Sequence, residues 1–232
     1  METLINGLDA RFRKRLGPGN APVIDVHIQA EGGITVLFGP SGAGKTSILR
    51  AVAGILVPDE GRIALGEKVF FDSSAGVNIP MRRRGVGYVF QHHLLFPHMT
   101  AEQNALYGAR GNAGEPARER VARLFAMMGI TKTAARRPHE LSGGEQQRVA
   151  LARALAAAPA IMLMDEPFSS VDAPTRERLT EEIANIQLLA GIPFLYVTHN
   201  HTEAMRLGKT VILIDEGKVT RQGTPAEIFN RR

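Results

Sequence analysis

The sequence predicts an α/β fold: a mainly parallel sheet flanked by helices, with an antiparallel β subdomain and a helical insertion. Three observations predict it. The apolar run Ile34-Thr35-Val36-Leu37-Phe38 passes through a glycine-rich turn into Ile48-Leu49-Arg50-Ala51-Val52-Ala53, a strand, turn and helix in succession. Ile161-Met162-Leu163-Met164 is wholly apolar, as a parallel strand covered on both faces must be. Val121, Leu124, Phe125 and Met128 recur at helical spacing between those two strands.

Taken in order, Met1 to Ile28 reads as two strands around a turn. Leu4 to Phe12 alternates weakly, and Val23 to Gln29 alternates apolar and polar residues as a half-buried strand does. Gly17-Pro18-Gly19-Asn20 is the turn. Arg11, Arg13, Lys14 and Arg15 read as the solvated edge of this hairpin, or as electrostatic support for a bound phosphate.

Next comes Gly39-Pro40-Ser41-Gly42-Ala43-Gly44-Lys45-Thr46-Ser47. Two glycines with four residues between them, followed by Lys and Thr, make the phosphate-loop pattern, and strand and helix flank it as that pattern requires. The residue types fit a polyphosphate. Gly42 and Gly44 permit torsions that turn successive backbone N–H groups inward as an anion nest. The helix that starts near Lys45 adds its positive end. Lys45 reaches β- and γ-phosphates, and the Thr46 hydroxyl is a hard-oxygen ligand for Mg²⁺. The expected core is therefore that of a phosphate-loop NTPase, a class that includes kinases, GTPases, helicases and transport ATPases.

Arg62 to Leu65 and Lys68 to Phe71 read as a hairpin around Gly66-Glu67. Asp72 to Arg84 is polar and irregular, and Arg82-Arg83-Arg84 reads as a solvated run. Val86 to Phe90 is a strand that ends at Gln91, where open α/β sheets bind ligands. The Gln91 carbonyl suits Mg²⁺ or an attacking water. Ala101 to Gly108 and Pro116 to Gly129 are expected helices, with Met127 and Met128 filling core space. Leu141-Ser142-Gly143-Gly144-Glu145-Gln146-Gln147 opens a helix that runs to about Ala157, and Ser142 and Glu145 have capping-box spacing. Two adjacent glycines weaken a helix, but they let an anion approach the backbone.

The apolar strand at Ile161 ends in Asp165 and Glu166. Asp165 is placed to hold Mg²⁺ and Glu166 to take a proton from water. Phe168 to Asp172 is a turn before a helix over Thr175 to Leu189. Pro193 to Val197 is a strand leading to Thr198-His199, where the imidazole can donate to a γ-phosphate. His201 and the pair His92-His93 read as surface residues. Val211 to Ile214 is a core strand, Lys218 to Arg221 an edge strand and Pro225 to Phe229 a closing helix.

Composition sets outer bounds. The chain has 232 residues, a net charge of +5 and 44% hydrophobic residues, enough for a real core and suited to an acidic partner. It has no cysteine, which excludes disulfides and thiolate metal sites. Met1 to Arg15 lacks an apolar segment, so no signal peptide is expected. The longest apolar stretch, Ile186 to Thr198, is broken by Gly191 and Pro193 and is too short to span a bilayer.

Together the phosphate loop, Gln91, the Leu141 to Gln147 signature, Asp165-Glu166, the Ser169 to Asp172 turn and His199 resemble the nucleotide-binding subunit of an ABC transporter, in that family's order and over essentially the whole chain. The resemblance implies one ATPase domain over 1–232, with a core over about 1–91 and 159–232 and a helical signature subdomain over about 92–158. It implies ATP and Mg²⁺ as cofactors and a head-to-tail homodimer. Each ATP is then held by Gly39 to Ser47 and Gln91 of one copy and by Ser142, Gly143, Gly144, Glu145 and Gln146 of the other. Thr46, Gln91 and Asp165 serve the metal, and Lys45, Glu166 and His199 carry the chemistry. Asp172 lies at the dimer contact.

The resemblance also implies membrane permease partners, a periplasmic or extracellular binding protein acting indirectly, and a peripheral place on the cytoplasmic face of the cell membrane. No nucleic acid is expected. Asn78-Ile79-Pro80, Arg84 to Gln91 and Phe96-Pro97-His98 look like molybdate- or tungstate-type importers. Many such relatives append an oxyanion-binding regulatory domain, which is not expected in a sequence ending at Arg232. The family's adenine-stacking aromatic is missing before Gly17, leaving Phe12, Arg15 or Leu16 to meet the base. Alternatives are a cassette for another solute, or a non-transport ATPase acting on nucleic acid or ribosomes. Gln91 to Glu140 is too short for a repair-ATPase coiled coil, and no Asn-Lys-x-Asp motif marks a GTPase.

Overall fold

The computed structural model describes residues 7–91, 94–109, 116–169 and 171–230. β1 (Leu8–Arg15) and β2 (Val23–Ala30) form an antiparallel hairpin. β3 (Ile34–Phe38) enters the glycine turn and α1 (Lys45–Ala53) leaves it. β4 (Glu60–Leu65), β5 (Lys68–Asp72), β6 (Val77–Asn78), the one-turn α2 (Met81–Arg84) and β7 (Val86–Val89) follow. Then come α3 (Ala101–Gly108), α4 (Ala117–Met127), two 3₁₀ turns at Thr131–Thr133 and Pro138–Glu140, and α5 (Gly143–Ala156). The chain closes with β8 (Ile161–Asp165), α6 (Ala173–Ala190), β9 (Phe194–Thr198), α7 (His201–Leu207), β10 (Thr210–Asp215), β11 (Lys218–Gly223) and α8 (Pro225–Phe229).

The eleven described strands make one sheet in the order β6-β5-β4-β1-β2-β11-β10-β3-β9-β8-β7. From β10 to β7 every neighbour is parallel, and from β6 to β2 every neighbour is antiparallel. The parallel strands are apolar at successive positions because both faces are covered. Val36, Met162, Met164, Phe194 and Tyr196 point to one core, where α5, α6 and α7 pack. Leu37, Leu163, Leu195 and Val197 point to the other, against Ile48, Leu49 and Val52 of α1. The α5 helix is tied to α6 by a bidentate pair, Arg148 to Glu182 at 2.7 and 2.6 Å.

Several sequence expectations need correction. β1 lies between β2 and β4, so the basic cluster is on an interior strand rather than a hairpin edge; Lys14 and Arg13 pair with Asp59 and Glu60 at 2.6 and 3.4 Å. Residues Leu4 to Asn6, where the first strand was expected to begin, fall outside the described residues. β11 is not an edge strand: it sits between β2 and β10 and joins the antiparallel wing to the parallel core. Asp72 to Arg84 is not wholly irregular, since it contains β6 and α2. Met128 is buried as expected, but Met127 faces solvent on the far side of α4. The helix α7, carrying His201, was not foreseen. His92 and His93 fall outside the described residues.

Arg84 is the largest correction. Its solvated-run neighbours Arg82 and Arg83 are exposed, but Arg84 is 1% exposed. Its Nη1 donates to the Ala51 and Val52 carbonyls at 2.9 and 2.8 Å, and its Nε to the Ile79 carbonyl at 2.7 Å. The guanidinium lies over the Phe70 ring, 5.4 Å from its centre. It therefore caps the last carbonyls of α1 and meets the negative end of that helix. Burial pushes its pKa down to about 10, so it stays cationic at neutral pH. Gly54 makes room: a Cβ there would stand 2.6 Å from the Arg84 Nε. We expect Arg84→Met to lower the unfolding free energy by about 3 kcal/mol, because buried carbonyls lose a charged donor. Urea denaturation checks this, with Arg82→Met and Arg83→Met expected within about 0.5 kcal/mol of wild type.

Candidate functional site

The carboxyl ends of β3, β8 and β9 meet on one edge of the parallel sheet, where α/β folds bind ligands. The loop after β3 is shaped by its glycines. Gly42 has φ 82°, and nothing lies within 4 Å of where its Cβ would be, so the loop presents bare backbone to open space. Gly44 precedes α1 with φ 99°, and a Cβ there would strike Ile24 of β2 at 2.3 Å. Only a glycine therefore fits against Ile24 at the N-terminal end of α1.

Lys45 is buried and curls back over the loop. Its Nζ donates to the Gly39 and Pro40 carbonyls, both at 2.8 Å. Burial lowers the pKa of its ammonium, while the nearby Glu166 and Asp165 carboxylates oppose that shift. Thr46 Oγ1 donates to Asp165 Oδ1 at 2.7 Å, joining the first turn of α1 to the end of β8. These are hard oxygens of the kind Mg²⁺ accepts. Ser41 is exposed and Ser47 half-buried.

Glu166 follows directly, with its backbone in the left-handed region at φ 44°. That backbone is held from both sides: the Glu166 N–H donates to Val197 O at 3.1 Å, and its carbonyl accepts from the Ser169 N–H at 3.2 Å. The side chain turns to His199, whose Nδ1 lies 3.0 Å from Glu166 Oε2. The structure thus brings Lys45, Thr46, Asp165, Glu166 and His199 together. Gln91 is exposed, two residues beyond β7, and no hydrogen bond joins it to Thr46 or Asp165.

Ser142 caps α5, as its spacing predicts. Its Oγ accepts the Glu145 N–H at 3.3 Å, and its own N–H and hydroxyl donate to Glu145 Oε2 at 2.8 and 3.0 Å. Those bonds hold the Glu145 carboxyl below its ordinary pKa. Nothing lies within 4 Å of a Cβ on Gly143, so this helix tip too is open. Gln146 folds back, its Nε2 donating to the Pro138 and Leu141 carbonyls at 2.9 and 3.2 Å. The hydrogen-bond and ion-pair partners of Ser142 and Glu145 lie within the α5 cap and at Arg136, not in the glycine loop of the same chain. Asp172 caps α6, accepting the Thr175 N–H at 3.1 Å, and is exposed. Of the residues considered for a base contact, Phe12 is 2% exposed and belongs to the core, whereas Leu16 is 41% exposed. The Arg15 side chain is engaged by the Gly19 carbonyl.

Sequence reasoning missed two contributors. Tyr88 donates to Asp165 Oδ2 at 3.2 Å, and burial raises its pKa well above the ordinary phenol value. The signal was its place on β7, one strand over from β8 and close to the strand end. Glu203 is a buried acid four residues after His199, bonded to Tyr196 and Thr198 at 2.9 and 2.8 Å. An acid in the first turn of a helix reads from sequence as an ordinary dipole partner.

A family model described as ABC transporter matches residues 24–169. The Molybdenum import ATP-binding protein ModC of Brucella abortus (strain 2308) is 42% identical over 225 residues, covering 97% of this chain and 62% of the relative. The protein of the same name from Vibrio vulnificus (strain YJ016) is 39% identical over 227 residues, covering 97% and 60%. The chain thus spans about three fifths of the length of these curated relatives. Among solved structures, cbiO1 from Clostridium perfringens, part of the ABC transporter complex cbiONQ, superposes with a TM-score of 0.85 at 28% identity, covering 99% of this chain and 92% of its own. A bacterial ABC transporter cassette in dimeric form gives 0.77 at 26% identity, covering 94% and 98%. With the glycine loop, the two carboxylates and the capped α5 tip placed as described, this chain belongs to the ABC transporter family.

Proposed function

We propose that this chain is the ATP-hydrolysing subunit of an importer that drives molybdate or tungstate through a membrane permease. One observation carries the hydrolytic reading: Glu166 and His199 meet at 3.0 Å beside the joined pair Thr46 and Asp165, next to a glycine loop that is open at Gly42. The solute reading is supported by relatives at about 40% identity named for molybdenum import.

In this reading the Lys45 ammonium exchanges its two loop carbonyls for β- and γ-phosphate oxygens. The N–H groups from Gly39 to Ser47 wrap the rest of the polyphosphate. Thr46, Asp165 and Gln91 would hold Mg²⁺, which supplies charge neutralisation on the phosphates. Glu166 takes the proton of the attacking water. With Nδ1 of His199 facing Glu166, Nε2 is left for the γ-phosphate. Adenine rests on Leu16, an aliphatic surface with little power to tell one purine from another.

The second anion-binding tip, Ser142 to Gln146, serves the ATP of a second copy, because within its own chain it does not reach the loop. Asp172 meets that copy as well. Residues 92–158 act as a helical subdomain that docks on the permease. A groove of about 460 Å³ beside α3, lined by His98, Met99, Gln103, Leu106 and Tyr107, supports this. Among the described residues no helix is long and apolar enough to cross a membrane; in this reading the subunit sits peripherally on the cytoplasmic face through its permease partner. A solute-binding protein on the other side hands the oxyanion to the permease.

Glu166→Gln is expected to keep ATP affinity within about twofold while turnover falls on the order of a hundredfold or more. Light scattering should then find an ATP-loaded dimer, and near-normal turnover would overturn the base assignment. Ser142→Arg should abolish hydrolysis and leave nucleotide binding by the monomer intact, as read by equilibrium titration; lost monomer binding would place the α5 tip in its own chain's site. Uptake of labelled molybdate in cells lacking this subunit should return with the wild-type chain and not with Glu166→Gln. Unimpaired uptake without the subunit rules out the solute assignment.

A further inference from the structure

The buried acid Glu203 has no part in the steps above, yet it touches both residues that flank His199. Its Oε2 accepts the Thr198 hydroxyl at 2.8 Å and the Tyr196 hydroxyl at 2.9 Å. Thr198 Oγ1 in turn accepts the Asn200 N–H at 2.9 Å, and Asn200 Oδ1 accepts the Glu203 N–H at 3.1 Å. His199 therefore stands at the crest of a closed ring of hydrogen bonds. Glu203 is 5% exposed and Tyr196 is fully buried, so the ring lies where such bonds are strong and costly to leave unmade.

The other oxygen of Glu203 faces a different element. Arg176, on the first turn of α6, places its Nε 3.6 Å from Oε1. The same guanidinium donates from Nη2 to the Val171 carbonyl at 2.8 Å, and Val171 precedes the exposed cap Asp172. The buried Nε has no hydrogen-bond partner, so a small approach of α6 would convert a loose ion pair into a bonded one. Between these groups and Glu166 lies a polar cavity of about 40 Å³, bounded by Glu166, Ser169, Arg176, Thr198, His199 and Glu203. The turn after β8 and the turn after β9 thus face each other across a gap bridged by one arginine and one glutamate.

We propose that Glu203 and Arg176 are positioning residues: their ion pair sets His199 against Glu166 and makes that setting depend on the turn preceding Asp172. This rests on the reading of Glu166 and His199 as the hydrolytic pair. A second copy of this chain seated on the exposed turn shifts Val171, the Arg176 guanidinium follows, and the ring around His199 tightens. Seating of the partner is then felt at the imidazole without any partner residue touching it.

Two measurements test the proposal. The first is amide hydrogen exchange, which needs no activity. Glu203→Gln keeps an acceptor for Tyr196 and Thr198 and removes the charge, and it should speed exchange of residues 168–172, which belong to another element. Thr198→Val should loosen 199–203 and leave 168–172 as in wild type. Unchanged exchange at 168–172 in Glu203→Gln overturns the proposal. The second is kinetics. Glu203→Gln and Arg176→Met should each lower kcat on the order of tenfold, with KM and ATP affinity within about twofold. The double variant should lose no more than the worse single one. Losses that multiply, or a KM that rises with kcat intact, overturn it. Glu203→Ala should fall below Glu203→Gln in kcat; should it fail to fold, the glutamine and arginine variants still decide. A wild-type chain without ATP turnover would sink the hydrolytic reading, and the exchange experiment would still judge the pair.

Discussion

The bond from the Thr46 hydroxyl to Asp165 spans 119 positions of chain and 2.7 Å of space. It fixes the first turn of α1 to the end of β8, and the arrangement of the other site residues follows from that join. Lys45 and Glu166 are the immediate sequence neighbours of the two bonded residues, so their approach is dictated once the bond is made. His199 arrives because β9 pairs with β8 in parallel register, Asp165 opposite Val197. The hydroxyl and the carboxylate are half-buried to buried, where such a bond counts for more than it would in water.

The rest of the molecule holds that join still. One face of the central strands is covered by α1 and the antiparallel wing, the other by α5, α6 and α7. α1 is gripped at both ends, by its threonine at the front and by the Arg84 guanidinium at the back. The segment that carries Arg84 therefore takes part in placing the loop, through its hold on the far end of α1. The α5 tip stands apart, tied to α6 through Arg148 and Glu182 and open at Gly143.

Much of this was legible in the sequence. The glycine loop, the two acids and the capped α5 start were visible because each is a local pattern whose chemistry demands those residue types at that spacing. The buried strands were visible because both-face burial removes polar residues. What stayed hidden was tertiary. Arg84 reads as part of a solvated triplet until the end of α1 is known to lie within reach. Lys218 to Arg221 reads as an edge because its side chains are polar; they are polar because most of them face solvent, although the strand is paired on both sides. Tyr88 and Glu203 have no local mark, since their partners lie 77 and 5 to 7 positions away and are defined by strand pairing.

The left-handed backbone at Glu166 has a cost beyond the site. A side chain with a Cβ pays on the order of 1–2 kcal/mol to sit there, a penalty glycine escapes. The fold would gain from exchanging the very residue that points a carboxylate at His199. Selection for robustness and selection for turnover therefore pull in opposite directions at this one position, and thermal hardening of the protein has to come from elsewhere in the chain.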